Sequence, residues 1–213
     1  ETERERARQV NLDIVSQLVE ICGAVRAGLV HFSTDYVFDG RSGPYSEADQ
    51  PNPLSYYGNL KLESERLVLD SSIKGLVVRT LWLYGYISGV RPNLVTWPLD
   101  VLARQQTIKI VDDQWGNPTY VHDLAQFVLE LCQRDIKGLF HMGGSTYMTR
   151  HELTLELVRF FGFDENLVKP ISTDAAAQQA RRPLKSGLHT EVLRTTLGRT
   201  PLGFNEGLEQ MVR

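Results

Sequence analysis

The sequence predicts an α/β protein built on a doubly wound parallel sheet. Two observations carry the prediction. Segments with apolar residues at helical spacing alternate with short, continuous apolar runs, the order expected of strands covered on both faces and joined by right-handed crossovers. The 213 residues, 42% of them hydrophobic, suffice to bury a core of that kind.

The elements follow in order. Leu12, Val15, Leu18, Val19 and Cys22 recur at helical spacing, and Gly28 stops that helix before the run Leu29-Val30-His31-Phe32. A loop rich in Gly, Pro and Ser runs from Asp39 to Pro53. Tyr57 to Leu69 then reads as an amphipathic helix with Leu60, Ser64, Leu67 and Val68 on one face, leading through Gly75 to the buried run Leu76-Val77-Val78. Further helices are expected at 93–104, 121–134 and 149–161, and strands at 107–111 and 139–142. The stretch from Ala180 to Leu188 reads as a loop that either closes over something or packs on the surface.

Bulk properties exclude several function classes. A net charge of -3 without a run of Lys or Arg leaves no electrostatic footprint for nucleic acid or a membrane surface, so small molecules are the expected partners. No apolar stretch approaches the roughly 20 residues of a bilayer span, and Glu1 to Arg8 alternate acid and base unlike a signal peptide, so a cytoplasmic location is expected. Cys22 and Cys132 each sit in an apolar helical pattern and read as buried free thiols. The five histidines are scattered, and His151-Glu152 lacks a second His at helical spacing, so no metal site is expected.

The sharpest chemical feature is Tyr57 four residues before Lys61, both on one helical face. A phenol titrates near pH 10, so acid-base work near neutrality would need a lowering of about three units, roughly 4 kcal/mol. One cation about 4 Å away, at an effective dielectric near 20, supplies that much. The spacing therefore predicts a tuned general acid. A second feature, Phe32-Ser33-Thr34-Asp35-Tyr36-Val37-Phe38, places polar residues at the carboxyl end of a buried strand, where open α/β sheets bind ligands.

With Pro51-Asn52-Pro53-Leu54, Tyr57 and Lys61, this block closely resembles the extended short-chain dehydrogenases/reductases of deoxysugar-nucleotide synthesis, in particular the dTDP-4-dehydrorhamnose reductase family. Arg79 to Gly85, Asp113-Gln114-Trp115-Gly116-Asn117-Pro118-Thr119 and Ala180-Arg181-Arg182-Pro183 resemble further motifs of that family, and the likeness extends over nearly all of residues 10 to 210. The resemblance implies NAD(P)H-dependent reduction of a nucleotide-linked 4-keto-6-deoxy sugar, with NADPH or NADH as cofactor. It implies catalytic roles for Thr34, Tyr57 and Lys61, cofactor contacts from Asn11, Tyr57 and Lys61, and substrate contacts from Thr34, Asp35, Trp82 and Arg182. Asn11 reads equally as a helix-start residue, Trp82 also as core, Arg79 as an ion-pair partner or a ligand, and His122-Asp123 as a cap.

Members of the family begin with a Gly-rich turn that holds the cofactor pyrophosphate; no Gly-x-x-Gly-x-x-Gly occurs here, so a partial Rossmann-type sheet is expected. Residues 1–85 would be the remaining dinucleotide-binding part and 86–213 mainly a small α/β substrate-binding part, with some segments returning to the sheet. An open sheet edge would favour pairing with another chain or a homodimer. Two rival readings stand beside the reductase. The region from Asp35 to Lys61 also resembles the regulatory beta subunit of methionine adenosyltransferase, although Trp82 fits the reductase branch. A sugar-nucleotide epimerase or dehydratase shares the fold, but a dehydratase wants an acidic pair after the threonine, and here Tyr36 follows Asp35.

Overall fold

The structure, a computed structural model, describes residues 3–178 and 180–213. The chain opens with α1 (Arg4–Arg8), a π-helical turn (Gln9–Asp13) and α2 (Ile14–Val25), which ends at Arg26 in the left-handed conformation. β1 (Gly28–Thr34), α3 (Tyr56–Leu69) and β2 (Lys74–Thr80) follow. Next come β3 (Leu83–Tyr84), α4 (Thr96–Ala103), β4 (Ile108–Val111), β5 (Trp115–Gly116), β6 (Thr119–Tyr120) and α5 (Val121–Gln133). β7 (Gly138–Met142), β8 (Met148–Thr149), α6 (Arg150–Phe161), β9 (Val168–Ile171), α7 (Glu191–Leu197) and α8 (Phe204–Met211) complete the chain.

The principal sheet has the order β1-β2-β7 with every pairing parallel, as the alternating pattern predicts. Its register sets Thr34 beside Thr80 and Thr80 beside Met142, so the three strands end together. Leu76, Val78, Phe140 and Met142 face α5 and α7, packing on Leu124, Phe127, Leu131 and Leu193. On the other face Val77 packs with Val15 and Val68 of the helices α2 and α3. Smaller cores lie beyond: α4, α6, β4 and β9 share Leu102, Ile108, Val158 and Val168, while Tyr84, Leu157, Phe204 and Leu208 join α6 to α8.

Several local differences from the sequence reading have physical causes. The fourth helix starts at Thr96, not near Asn93, because the Asn93 side chain accepts from Val95 N and Thr96 N and so ends the preceding loop. β9 was hidden by Pro170, which a strand tolerates only at an edge, as in the two-stranded β4-β9 sheet. On α3 the buried face is Leu60, Lys61, Ser64, Glu65 and Val68, whereas Leu67 is exposed. Cys22 is a buried free thiol as expected, but Cys132 is exposed. Among the described residues no helix is long and apolar enough to cross a membrane.

The face of the sheet toward α3 buries charge as well as methyl groups. Arg79 of β2 clasps Glu65 of α3 through Nε at 2.9 Å and Nη2 at 2.7 Å, and Ser33 of β1 donates to the same carboxylate. Arg79 Nη1 lies 3.3 Å from His141 Nε2 on β7, whose Nδ1 lies 3.1 Å from the Tyr45 carbonyl. That arrangement places the ring proton on Nδ1 and leaves Nε2 to accept from the guanidinium. Burial first, then the charge of Arg79, pushes His141 down to about 3, which keeps it neutral. Arg79 is thus an ion-pair partner, one of the two readings its position allows.

Breaking a buried pair on one side leaves an uncompensated charge. Glu65→Ala should lower unfolding free energy by about 3–5 kcal/mol, measured by urea denaturation, whereas Glu65→Met with Arg79→Met should cost clearly less. Equal losses for the two would reject the ion pair as the joint between α3 and the sheet.

Candidate active site

Chemistry-bearing side chains collect at the carboxyl end of β1. Thr34, its last residue, caps the following turn: its Oγ1 accepts from the Tyr36 amide at 3.2 Å and donates to Asp35 Oδ1 at 3.1 Å. Tyr57 stands in the first turn of α3, where Ser55 is the N-cap and accepts from Gly58 N at 3.1 Å. Gly58 lets this turn come close, since a Cβ there would collide with the Tyr36 carbonyl. The Tyr36 and Tyr57 rings meet edge on, 6.2 Å apart, and the Thr34 hydroxyl acts on the Tyr57 phenol.

Lys61 shares the helix but not the direction of Tyr57. It is buried, donates to the Phe32 carbonyl at 2.6 Å and lies 3.2 Å from His31 Nε2. The spacing predicts a phenol lowered by this ammonium, and the structure shows the reverse. Burial pushes the Tyr57 phenol above its ordinary value, the Asp35 carboxylate pushes the same way, and the hydrogen bond to Thr34 opposes both. The ammonium is engaged by the Phe32 carbonyl and His31 of β1, and the charges that act on the phenol are those of Asp35 and Tyr36. Burial lowers Lys61 itself, with Glu65 opposing. Burial and then Lys61 push His31 down to about 4, so its Nε2 accepts from Lys61; Ser64 Oγ, which donates to the Lys61 carbonyl, lies 2.9 Å from the same nitrogen.

A phenol held above its ordinary value stays protonated at neutral pH and is a proton donor. That suits reduction: a carbonyl that has taken up hydride becomes an alkoxide, a much stronger base than phenolate, so proton transfer from an unlowered phenol still runs downhill.

Asp35 lies under this pair. Its Oδ2 accepts from Ser186 Oγ, and burial raises it from 3.8 to about 6, with the bonds from Ser186 and Thr34 pulling the other way. The 180–188 loop therefore closes on the site. Lys185 N donates to the Gly40 carbonyl at 2.8 Å, Tyr45 N to the Gly187 carbonyl at 2.9 Å and Leu188 N to Asn117 Oδ1 at 2.9 Å. Asn117 also donates to the Gly144 carbonyl at 2.9 Å, which gives the Asp113 to Thr119 motif its role as a brace.

Arg182 of this loop acts on the Tyr36 phenol, drawing it down against burial and Asp35, which raise it. Trp82 is half-buried, with a left-handed backbone (φ 46°), and its ring lies 4.6 Å beneath the Arg150 guanidinium. Gly116 lies against the same indole, where a Cβ would stand 2.8 Å from it. Thr34, Asp35, Tyr57 and Arg182 thus share one neighbourhood, linked through Tyr36. Asn11 sits in the π-helical turn, which packs on α3, and donates to the Ala7 carbonyl at 2.9 Å. Such turns occur often at functional sites.

Sequence reasoning missed Tyr36, His31, Ser186 and Arg150. The pattern Thr149-Arg150-His151-Glu152 announces a helix start, and a capping box forms there, but nothing local to it says that the helix begins over Trp82. His122 stacks on Tyr120 and Asp123 accepts from Leu202 N at 2.9 Å, so this pair packs and caps. A cavity of about 610 Å³ adjoins the site, lined by Asp39, Arg41, Leu54, Arg181, Arg182 and Lys185 among others. Among the described residues no group of three or more His, Cys, Asp or Glu is placed to hold a metal ion.

Comparison with known proteins places this geometry. Residues 1–213 match the family described as RmlD substrate binding domain. The methionine adenosyltransferase 2 subunit beta of Bos taurus is 35% identical over 98% of this chain and 65% of its own length. A dTDP-4-keto-6-deoxy-D-glucose reductase of Streptomyces niveus is 36% identical over 87% of this chain and 64% of its own length. The chain thus spans just under two thirds of these curated relatives. A crystal structure of dTDP-4-dehydrorhamnose reductase from Bacillus anthracis in complex with NADP superimposes with a TM-score of 0.93 at 30% identity, covering all of this chain and 74% of that one.

The raised carboxyl of Asp35 has a signature in stability. Because the folded state holds this proton more tightly than the unfolded chain, its contribution is full below about pH 3.8 and is lost as pH rises through about 6. The depressed His31 and His141 act oppositely, stabilising above their ordinary 6.5 and losing that contribution as pH falls toward about 4 and 3. The unfolding free energy of Asp35→Asn relative to wild type should therefore rise between pH 4 and pH 7, by up to about 3 kcal/mol. A difference that stays flat across that window would place Asp35 in an ordinary solvated setting.

Proposed function

The chain belongs to the RmlD substrate binding domain family, and on that footing we propose that it carries the catalytic and substrate half of an NADPH- or NADH-dependent reductase of a nucleotide-linked 4-keto-6-deoxy sugar. The observation that carries the reading is the Tyr57 phenol, held above its ordinary value and so protonated, beside Thr34 and Asp35 at the end of β1. Thr34 positions the substrate carbonyl and Tyr57 gives it a proton. The nicotinamide, when bound, supplies the hydride. Lys61 fits a ribose hydroxyl by its donor chemistry: an ammonium has three protons, and two are directed to the Phe32 carbonyl and His31. Asn11 joins it on the cofactor side, while Asp35, Trp82 and Arg182 contact the sugar nucleotide.

In this proposal residues 1–85 serve the dinucleotide and 86–213 mainly the substrate, with β7 returned to the sheet. A cytoplasmic setting belongs to the same reading, since Cys22 and Cys132 are both free thiols. So does pairing of β1, an edge strand among the described residues, with a further strand or a second copy. The likeness to methionine adenosyltransferase 2 subunit beta supports a second reading, a regulatory subunit without turnover.

The test joins the Gly-rich dinucleotide-binding segment of a relative ahead of this chain and follows NADPH or NADH oxidation with a dTDP-4-keto-6-deoxyhexose. Tyr57→Phe should lower kcat at least about 100-fold with KM little changed, as expected for loss of a general acid. Near-normal turnover by that variant rejects the assignment. No turnover by the unmutated protein, together with co-purification of a methionine adenosyltransferase, supports the regulatory reading.

A further inference from the structure

Between β1 and α3 a neutral ring is set against a buried cation. His31 comes from β1, and its Nε2 lies 3.2 Å from Lys61 Nζ and 2.9 Å from Ser64 Oγ, both on α3. Ser64 is fully buried, and its hydroxyl proton goes to the Lys61 carbonyl at 2.8 Å, so the serine braces the ring edge without taking the nitrogen's lone pair. An N–H at Nε2 would face the ammonium, whereas the tautomer with its proton on Nδ1 puts a lone pair there. Burial and the Lys61 charge keep the ring unprotonated, with a pKa of about 4.

Packing alone does not call for an imidazole at this place. His31 shares with Leu29 and Ser33 the face of β1 toward α3, and Leu29 joins the apolar cluster of Val15, Val68 and Val77. A phenyl or isobutyl group would fill the row without the cost of burying polar nitrogens. What the imidazole adds is an uncharged acceptor. An ammonium on its flexible four-carbon stem has three protons, and with the Phe32 carbonyl at 2.6 Å as sole acceptor it would still swivel about that one hydrogen bond. A second acceptor off that axis stops the swivel. The third proton, which has no acceptor among the described residues, is then held in one direction. A carboxylate in place of the ring would stop the swivel too, but it would also neutralise the charge and compete for that proton.

We propose that His31 is a positioning residue for Lys61: its ring fixes the ammonium so that one N–H is presented to a ligand hydroxyl. That this hydroxyl belongs to the ribose of a dinucleotide rests on the reductase reading given above, whereas the hold of His31 on Lys61 does not. Ser64 acts one step further out by bracing the ring from α3. The lysine and its guide are thereby mounted on the same strand and helix that carry Thr34 and Tyr57.

The hold is read in the chain itself by competitive labelling of its amines with a trace of acetic anhydride, followed lysine by lysine by mass spectrometry. The exposed Lys109 is the internal reference, and thermal melting of each variant is the folding control. Removing an acceptor from a buried ammonium frees the group and disfavours its charge, and either change speeds acylation. His31→Phe should therefore raise the labelling rate of Lys61 relative to Lys109 at least about tenfold, the loss expected for one hydrogen bond to a charged group. His31→Gln, whose amide oxygen replaces Nε2, should return the rate toward wild type. If His31→Phe melts early, the smaller His31→Leu carries the test. Unchanged Lys61 labelling in a folded His31→Phe or His31→Leu chain overturns the proposal, as does His31→Gln labelling as fast as His31→Phe. In the fused reductase, His31→Phe should raise KM for NADPH or NADH more than it lowers kcat, the reverse of Tyr57→Phe, and an unmoved KM overturns the ligand-facing part of the proposal. Because labelling needs no turnover, an inactive fusion counts against the reductase reading while acylation still decides for His31.

Discussion

One carboxylate holds the sheet and helix α3 in register. Glu65 takes two hydrogen bonds from Arg79 of β2 and one from Ser33 of β1, while Arg79 reaches His141 on β7. A single side chain of α3 is therefore tied, directly or through one intermediate, to all three strands. Because such bonds are directional, α3 cannot slide along the sheet without stranding a buried charge. Tyr57 and Lys61 lie on the same rigid rod as Glu65, so their distance from Thr34 is inherited from this joint. The neutral histidines on β1 and β7 complete the arrangement by accepting hydrogen bonds rather than adding charge.

The local electrostatics divide the labour between two residues that look like a couple in the sequence. Lys61 is committed to β1 through the Phe32 carbonyl and His31, and Tyr57 is left among Thr34, Asp35 and Tyr36. The phenol is thereby a reservoir of one proton rather than a poised anion. In the proposed reduction, delivering a proton to a newly formed alkoxide asks only that the proton be present and aimed. The lysine is in turn a tether with a remaining donor, suited to hold a hydroxyl.

Much of the fold was legible because parallel strands covered on both faces are read as unbroken apolar runs, and β1, β2 and β7 are such runs flanked by amphipathic helices. What the pattern concealed was polar or short. The buried face of α3 includes Lys61, Ser64 and Glu65, so apolar periodicity pointed to Leu67 in their place. Two-residue strands such as β3 and β6 have no period to detect, and α8 carries Asn, Gly and Gln within eight residues. Thr34, Asp35 and Tyr57 could be picked out because they sit in one contiguous stretch after a strand. Arg150 and Ser186 could not, since more than a hundred residues of chain separate them from Asp35 and only tertiary packing brings them back.

Gly58 shows how small a structural element can set the spacing of the site. Its missing side chain is the clearance between the first turn of α3 and the Tyr36 carbonyl. Any methyl group there would act as a wedge, lifting the helix at the end that bears the phenol while Glu65, nearly two turns away, kept the other end pinned. The motion available to the helix is then a tilt and not a translation, and tilt separates Tyr57 from Thr34 faster than it disturbs the core. A chain could accept such a change, remain folded, and lose the alignment on which the proposed proton delivery depends.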